Sequence, residues 1–381
     1  MSSIKILQGN CLDRLRDLPE KSVNTCVTSP PYWGLRDYGT GEWVGGDPDC
    51  LHMRTNKMNK ENITGQKAMF DQVNAVGDSI YKSECPKCGA TRKDEQLGLE
   101  ETPEQFTENL VKLFREVRRV LRDDGTVWLN LGDSYYNYRA DGKQVKQTVA
   151  NTRQDFPESS PHRSNKVKGL KQKDLIGIPW RVAFALQADG WYLRQDIIWH
   201  KPNPMPESVQ DRCTKSHEYI FLLSKSPKYY YDNEAIKEEI QDESAKRLLR
   251  GVSDNHKNSF GAPGQTPHTM NKPRKNVRKQ FTSDMSGGKR NKRSVWTVTT
   301  KPYSEAHFAT YPHDLIIPCI LAGCPEGGTV LDPFGGSGTT AQVSNNLNRN
   351  AILCELNPEY VEIAKVRLQE SLGMFLDLEV L

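Results

Sequence analysis

The sequence predicts an α/β fold in which an open, mostly parallel sheet carries helices on both faces. Short apolar strands alternate with helices at both ends of the 381-residue chain, a pattern typical of parallel strands joined by helical crossovers. A glycine-rich turn at 335–338 joins one late strand to a helix, and such turns are where these sheets bind ligands. The chain is long enough for one large domain with insertions, or for two domains.

The first elements are two strands with a helix between them. Residues 4–9 (IKILQG) and 23–28 (VNTCVT) are apolar runs of strand length, and a helix begins at NCLDRLRDL. The second strand leads into Ser29, Pro30, Pro31 and Tyr32. Because prolines lack an N–H group and have a fixed φ, we expect the strand to end at this diproline.

An amphipathic helix and an antiparallel strand pair form the middle of the chain. Thr102 and Pro103 are typical of a helix start, and apolar residues recur at three- and four-residue steps as far as Leu121. After it the pattern predicts a buried strand at 125–133, a helix at 178–190, and paired strands at 192–201 and 218–225. Residues 228–300 are mostly polar and predict irregular structure.

The C-terminal part again alternates helices and strands. The predicted elements are a helix at 313–324, a strand at 328–334, a helix from about Thr339, a strand at 350–356 and a helix at 358–370. Between the first strand and the following helix lie Asp332, Gly335, Gly336 and Gly338, and Glu355 follows 23 residues after Asp332. Glycines let a backbone approach a ligand closely, and an acid near this offset is typical of ribose recognition. The turn contains no lysine, which argues against a triphosphate.

Charge and cysteine content limit the classes of protein. The net charge is only +4, but 139–173 and 271–293 each contain nine Lys and Arg residues against three and one acids. Such stretches are typical of solvated loops or of polyanion contacts. Nine cysteines, an odd number, and the absence of an apolar leader predict a reducing, cytoplasmic compartment. No apolar run approaches the length of roughly 20 residues that a membrane span needs.

Four cysteine and histidine residues in a polar insert, 39–98, have the spacing of a metal site. They are Cys50, His52, Cys85 and Cys88. A Cys3His set binds structural zinc, and the insert has too few apolar residues for a core of its own. The alternative is a set of reduced thiols without a metal.

Two signatures, TSPPY at 28–32 and DPFGGSGTT at 332–340, resemble the S-adenosylmethionine-dependent DNA amino-methyltransferases of the β class. These enzymes are circularly permuted and methylate cytosine N4 or adenine N6. The resemblance covers 4–38, 99–138, 174–232 and 300–370. It implies a doubly wound, mostly parallel, seven-stranded Rossmann-like sheet in which the two signature strands are neighbours. It also implies a domain order: a catalytic half (1–38 and 99–232), a target-recognition region (233–300) and a cofactor half (301–381).

The same resemblance implies which residues bind S-adenosylmethionine. They are Asp332, Phe334, Gly335, Gly336 and Gly338 in the pocket, Glu355 at the ribose hydroxyls, and His307 and Phe308 near the methionine moiety. Asn10 stands where the family usually has an aspartate that accepts the adenine amino group. An asparagine carbonyl can also accept that hydrogen bond.

The diproline stretch suits transfer of a methyl group to an exocyclic amine without a covalent intermediate. The Ser29 hydroxyl and the Pro30 carbonyl would each accept a hydrogen of the amino group, Pro31 would keep that carbonyl rigid, and Tyr32 would stack on a flipped base. Serine rather than aspartate at position 29 favours cytosine N4 by resemblance, with adenine N6 as the alternative. Rival classes are a non-catalytic DNA-binding relic of the fold and a methyltransferase for RNA or protein glutamine. We expect no catalytic histidine; His217 is expected to be structural.

Duplex DNA is the partner that the resemblance implies. Its phosphates would contact basic residues of the target-recognition region: Lys272, Arg274, Lys275, Arg278 and Lys279. A separately encoded cognate restriction endonuclease and a monomeric or homodimeric state are compatible with it.

Overall fold

The computed structural model describes residues 2–34, 40–55, 78–80, 84–136, 167–239, 289–300, 311–372 and 377–381. In chain order the helices of this part are α1 (Cys11–Arg16), α2 (Pro103–Val120), α3 (Ile178–Ala188), α4 (His313–Gly323), α5 (Thr339–Asn346) and α6 (Pro358–Leu372). None of them is both long and apolar enough to cross a membrane.

The strands of the described residues divide into one large sheet and three small ones. They are β1 (Ser3–Gln8), β2 (Val23–Thr28), β3 (Glu42–Val44), β4 (Met53–Thr55), β5 (Asp78–Ile80), β6 (Thr91–Lys93), β7 (Leu121–Leu131), β8 (Tyr192–His200), β9 (His217–Ser224), β10 (Glu238–Glu239), β11 (Lys289–Arg290), β12 (Val295–Thr297), β13 (Thr329–Asp332), β14 (Asn350–Glu355) and β15 (Asp377–Val380). The pairs β3–β6, β4–β5 and β10–β11 form separate two-stranded sheets.

The large sheet has nine strands in the order β12-β8-β9-β7-β2-β13-β14-β1-β15. Only β9 is antiparallel to its neighbours, so the prediction of an α/β, mostly parallel sheet with an antiparallel hairpin is confirmed. The predicted number of seven strands is wrong, because β12 and β15 extend the two edges. Trp296 of β12 is buried, and Leu378 of β15 packs on an apolar cluster. Neither of these short segments has a strand-like pattern long enough to recognise in the sequence.

The permuted order brings distant parts of the chain together at the middle of the sheet. Thr25 of β2 lies beside Val330 of β13, and Cys26 beside Leu331. The expectation that the two signature strands are neighbours is therefore confirmed. Because β2, β13 and β14 are parallel, their carboxyl ends meet at one edge of the sheet, where ligands of open α/β sheets bind.

Helix α2 shows how local signals and packing agree. Thr102 and Gln105 form a reciprocal capping box, and Pro103 occupies the first turn. Its buried face packs into the cluster that also contains residues of α3 and β7. The helix ends at Val120, earlier than predicted, because Leu121 already has extended dihedrals and pairs with Val23 of β2.

Apolar clusters cover both faces of the sheet. One unites α1, α2 and α3 with β2 and β7, a second contains α4, and a third lies between α6 and β1. Each fully buried large apolar side chain in them contributes roughly 1.5–3 kcal/mol. The clusters hold the central strands rigidly and so fix the loops that follow them.

Candidate active site

Asp332, the last residue of β13, joins the ends of the two signature strands. Its Oδ1 accepts a 2.6 Å hydrogen bond from the Thr28 hydroxyl of β2 and a 3.1 Å bond from the Phe334 N–H. Its Oδ2 accepts a 2.8 Å bond from Tyr311 and a further bond from Thr340. Burial raises the pKa of this carboxyl, while the hydroxyl donors act in the opposite direction. Asp332 therefore locks the start of the diproline loop, defined here as residues 29–34, to the glycine-rich turn.

Two glycines of the glycine-rich turn pack closely against other parts of the chain. A Cβ on Gly335 would lie 2.8 Å from the Cβ of Leu353, and Gly338 has a φ of +79° with Ala364 directly beside it. Gly336, with a φ of +50°, donates its N–H to Glu355 Oε2 at 2.8 Å. Gly335 and Gly338 therefore allow the turn to pack on β14 and α6, whereas Gly336 leaves open space beside its backbone.

Glu355, at the end of β14, faces this turn. Its second carboxylate oxygen, Oε1, accepts a 2.9 Å bond from the Asn357 N–H. Burial raises the pKa of Glu355, and the backbone donors partly oppose it. Each oxygen keeps a lone pair for a further donor, since a carboxylate accepts about four hydrogen bonds.

Asn10 uses both ends of its amide inside the protein. Its Oδ1 caps α1 by accepting a 2.9 Å bond from the Leu12 N–H, and its Nδ2 donates at 2.8 Å to Glu95 Oε2. The carbonyl oxygen retains one lone pair for a ligand. Asn10 lies beside β14, because the N–H of Gly9 bonds the carbonyl of Glu355 at 2.9 Å.

Tyr32 of the diproline loop is held by polar partners from the neighbouring strands. Its hydroxyl donates a 2.7 Å hydrogen bond to Glu218 Oε2, lies 3.3 Å from Asn130 Oδ1, and lies 3.5 Å from the Ser29 hydroxyl. Its ring packs on Gly132, where a Cβ would come within 2.5 Å of the ring. Burial, and next the charge of Glu218, raise the pKa of Tyr32, so the phenol stays protonated.

Glu218 is the centre of a polar cluster beneath the diproline loop. It pairs with Lys201 and accepts a 3.2 Å bond from Asn130 Nδ2. The Lys201 ammonium also lies 4.2 Å from the centre of the Trp199 ring. Lys201 directly follows β8, Glu218 is the second residue of β9, and Asn130 is the last but one of β7. They therefore converge only in the sheet.

The four predicted metal ligands come together in one cluster. The ligand atoms of Cys50, His52, Cys85 and Cys88 all lie within 4.8 Å of one another. Cys50 and Cys85 have their sulfurs 3.8 Å apart, too far for a disulfide, and Cys88 Sγ lies 3.4 Å from His52 Nδ1. Although desolvation opposes it, backbone N–H donors from Ala90 and Asp47 lower the pKa of the Cys88 thiol. His52 is further held by stacking on Trp43, with ring centroids 4.3 Å apart.

Comparison with known proteins places this geometry in a family. The family model described as DNA methylase, N6_N4_Mtase, matches residues 23–366, which include both signature strands. The chain belongs to the N6/N4 DNA methylase family. It is therefore an S-adenosylmethionine-dependent amino-methyltransferase that acts on DNA.

Relatives of this DNA methylase resemble it over almost its whole length. The type II methyltransferase M.Cfr9I of Citrobacter freundii is 42% identical over 373 residues, covering 97% of this chain and 89% of the relative. M.SmaI of Serratia marcescens is 38% identical, covering 97% and 91%. The solved PvuII DNA methyltransferase, described as cytosine-N4-specific, is 16% identical with a TM-score of 0.52 and coverages of 96% and 86%. That likeness supports the fold.

The methylase brings the four predicted catalytic residues and most of the predicted cofactor-binding residues to one edge of the sheet. The diproline loop, the glycine-rich turn, Glu355 and Asn10 all gather at the ends of β2, β13, β14 and β1. The predicted residues His307, Phe308, Lys272, Arg274, Lys275, Arg278 and Lys279 lie outside the described residues. His217, expected to be structural, lies 3.4 Å from the Tyr219 hydroxyl.

Four residues at this edge escaped the sequence-based analysis: Tyr311, Glu218, Asn130 and Lys201. Asn130 is a single polar residue within an apolar strand, whereas the other three have polar or proline neighbours. A lone polar residue in a buried strand is a usable signal, because it needs a partner. The sequence could not show that the partner of Glu218 and Asn130 is Tyr32.

Proposed function

We propose that this methylase transfers a methyl group to the exocyclic N4 of a flipped-out cytosine in duplex DNA, by direct transfer without a covalent intermediate. The observation that carries the proposal is Ser29, which follows β2 and is joined through Thr28 and Asp332 to the glycine-rich turn. In this family a serine at the first position of the SPPY signature favours cytosine over adenine. S-Adenosylmethionine supplies an electrophilic methyl group when bound.

The residues of the diproline loop prepare the acceptor amine. The amino nitrogen is conjugated with the base and is a weak nucleophile until its hydrogens are held. The Ser29 hydroxyl and the Pro30 carbonyl would accept these hydrogens, and Pro31 would keep the carbonyl rigid. Tyr32 would offset part of the few kcal/mol needed to unstack the base, with its hydroxyl anchored to Glu218 at 2.7 Å.

The residues at the ends of β13 and β14 fit the cofactor. Gly335, Gly336 and Gly338 would line its pocket with backbone. Phe334 would border it, and Asp332 would keep the turn in shape through its four hydrogen bonds. Glu355 would accept the ribose hydroxyls, and Asn10 the adenine amino group. We further propose His307 and Phe308 at the methionine moiety.

The polar insert would bind one structural zinc ion through Cys50, His52, Cys85 and Cys88. Tetrahedral zinc bonds of 2.3 Å to sulfur and about 2.05 Å to nitrogen require sulfurs about 3.8 Å apart and a sulfur–nitrogen separation of about 3.6 Å. The distances of 3.8 Å between Cys50 and Cys85 and 3.4 Å between Cys88 and His52 match these values. Two of the six separations between ligand atoms are thus those of a tetrahedral zinc site, and all four atoms lie within 4.8 Å of one another, which supports zinc.

DNA contacts and a biological partner complete the proposal. Lys272, Arg274, Lys275, Arg278 and Lys279 would neutralise phosphates in a target-recognition region at 233–300, within the predicted division of the domains. We also infer a separately encoded restriction endonuclease that recognises the same DNA sequence, with the methylase protecting that sequence. Reversing the charge of Lys272, Arg274 and Lys275 together should weaken DNA binding and flatten its dependence on salt.

Identifying the methylated base tests the central proposal. The protein is incubated with labelled S-adenosylmethionine and unmethylated duplex DNA, the DNA is digested to nucleosides, and the modified base is identified by mass. N4-methylcytosine is the expected product. N6-methyladenine would refute the choice of base, and no transfer with intact cofactor binding would favour a DNA-binding relic.

Substitution of the serine tests the site rather than the product. Ser29→Ala should lose transfer because one hydrogen-bond acceptor for the amine is gone, a loss of roughly 10²–10³-fold by analogy with removal of an oxyanion-hole donor. Cofactor binding should persist, since the side-chain hydrogen bond of Ser29 seen among the described residues is to Tyr32 and not to the residues proposed to bind the cofactor. Normal turnover in this variant would overturn the assignment of Ser29.

A further inference from the structure

We propose that the metal centre is a clamp that holds the diproline loop in its working position. This inference rests on the zinc site proposed above and goes beyond it, because it gives the metal an effect on the active site. The cysteine hairpin is defined as the paired strands β3 and β6 together with the turn at 85–90. The link is the connecting segment, defined as residues 94–100, which directly follows β6.

In the part of the insert that the structure describes, 40–55, 78–80 and 84–93, few contacts other than the four ligands hold the chain together. Strands β3 and β6 pair over only three residues each, and a short isolated hairpin is marginally stable in water. Within residues 40–52 and 84–93, the buried apolar side chains are Cys85 and Ala90, whereas Leu51 is 80% exposed. A metal bound by residues from both sides of the hairpin would be the strongest constraint on its shape.

The glycines around the ligands support a built site. A Cβ on Gly46 would lie 2.8 Å from the Cys88 sulfur, so that chain passes in close contact with a ligand. Gly89 has a φ of +73° and donates its N–H to the Cys85 carbonyl at 2.7 Å. The Cys85 N–H in turn bonds the Ala90 carbonyl at 2.8 Å. These contacts form a tight turn that presents both sulfurs to one point.

A largely buried ion pair fixes the connecting segment relative to the cysteine hairpin. Arg92 of β6 lies 3.1 Å from Asp94, with side chains 10% and 13% exposed. The Asp94 carboxylate also accepts bonds from the Thr40 hydroxyl at 2.9 Å and the Gln96 N–H at 3.0 Å. Separating such a pair would leave a buried charge without its partner, which is strongly unfavourable. Asp94 therefore moves together with the hairpin.

The connecting segment in turn holds the diproline loop. Gly34 donates its N–H to the Gly98 carbonyl at 2.8 Å, and the indole of Trp33 donates to the Glu100 carbonyl at 2.8 Å. A Cβ on Gly98 would come within 3.0 Å of the Tyr32 carbonyl oxygen. The loop thus rests on backbone supplied by this segment, immediately after the residues proposed to hold the base.

The same segment reaches the cofactor side through Glu95. Its Oε2 accepts the 2.8 Å bond from Asn10 Nδ2. Loss of the metal should therefore loosen both the diproline loop and Asn10. Because a displacement of about 1 Å can slow an oriented reaction about 10²-fold, we expect the metal-free protein to be nearly inactive even where its large sheet remains folded.

Hydrogen exchange of the full-length protein tests the clamp without reliance on activity. The metal content of protein purified without added zinc is measured first, and about one equivalent is expected. The metal is then removed with a chelator, and amide exchange is compared before and after removal. Exchange in peptides covering 29–34 should accelerate at least about tenfold, while peptides covering α5 should not change. Added zinc should restore protection.

Matched variants separate the clamp from simple unfolding of the insert. Cys85→Ser should lose the metal and the protection of 29–34, whereas Cys213→Ser, an exposed free cysteine outside the insert, should lose neither. Trp33→Phe removes the bond to Glu100 and should raise exchange in 29–34 with the metal still bound.

Two results would overturn the inference. If freshly purified protein contains less than about half an equivalent of metal, the proposed zinc site is refuted. If metal is bound but its removal does not accelerate amide exchange in 29–34, the proposed effect of the metal on the diproline loop is refuted. Both readouts are independent of which base is methylated, so failure of the proposed activity is recognised separately by nucleoside mass.

Discussion

Replacing Gly132 with alanine should displace the Tyr32 ring and slow methyl transfer. The new Cβ would lie 2.5 Å from the ring, whereas ordinary contacts begin at 3.4 Å, so the ring must move by about 0.9 Å. The ring cannot move freely, because its hydroxyl is bonded to Glu218 at 2.7 Å. A misplacement of about 1 Å corresponds to a loss of roughly 10²-fold in rate, and we expect that loss in kcat/KM for DNA.

The assay is single-turnover methyl transfer to duplex DNA, with cofactor affinity and thermal unfolding measured alongside. Cofactor affinity should stay within about twofold, because Gly132 is not among the residues proposed to bind it. A double-mutant cycle provides the control. If Gly132→Ala acts through the ring, it should add little to the loss caused by Tyr32→Ala. Unchanged transfer in Gly132→Ala, or full additivity in the cycle, would refute the reasoning.

Three further predictions concern charge at the site. Glu218→Gln keeps the shape of the side chain but leaves Lys201 without its counter-charge, so transfer should fall about tenfold; an equal fall in cofactor affinity would contradict a role confined to the diproline loop. Asn10→Asp restores the residue usual in the family, yet it places a second carboxylate where the amide now lies 2.8 Å from Glu95. Cofactor binding should therefore weaken and recover when Glu95→Gln is added, and tighter binding by the single variant would speak against this contact. Burial raises the pKa of Asp332 above its ordinary 3.8, so its stabilising contribution is present below about pH 4 and is lost as pH rises through the raised value. The unfolding free energy of Asp332→Asn relative to wild type should therefore rise with pH above about pH 4, and a pH-independent difference would show that the folded-state pKa is not raised.

The sequence predicts the local elements well where their signals are local. The capping box at Thr102, the apolar period of α2 and the glycines of the turn at 335–338 each act within a few residues. The edge strands β12 and β15 are missed because they carry no such local signal. Each is three or four residues long. Pairing with β8 stabilises β12, and pairing with β1 stabilises β15, whereas neither has an apolar pattern of its own that predicts a strand. Strand pairing is a tertiary interaction, so the count of seven strands could not be corrected from the sequence.

The site divides in the same way. The sequence by itself determined the chemical types: a rigid hydroxyl and carbonyl after β2, an acid and glycines after β13, and the spacing of a Cys3His set. Only the tertiary structure decided which of these meet. Thr28 reaches Asp332 across 304 positions, because the parallel strands β2 and β13 end at one edge of the sheet. Tyr32 reaches Glu218 across 186 positions, because the antiparallel strand β9 begins at that same edge. Contacts of that range depend on the packing of the whole sheet, and no local pattern encodes them.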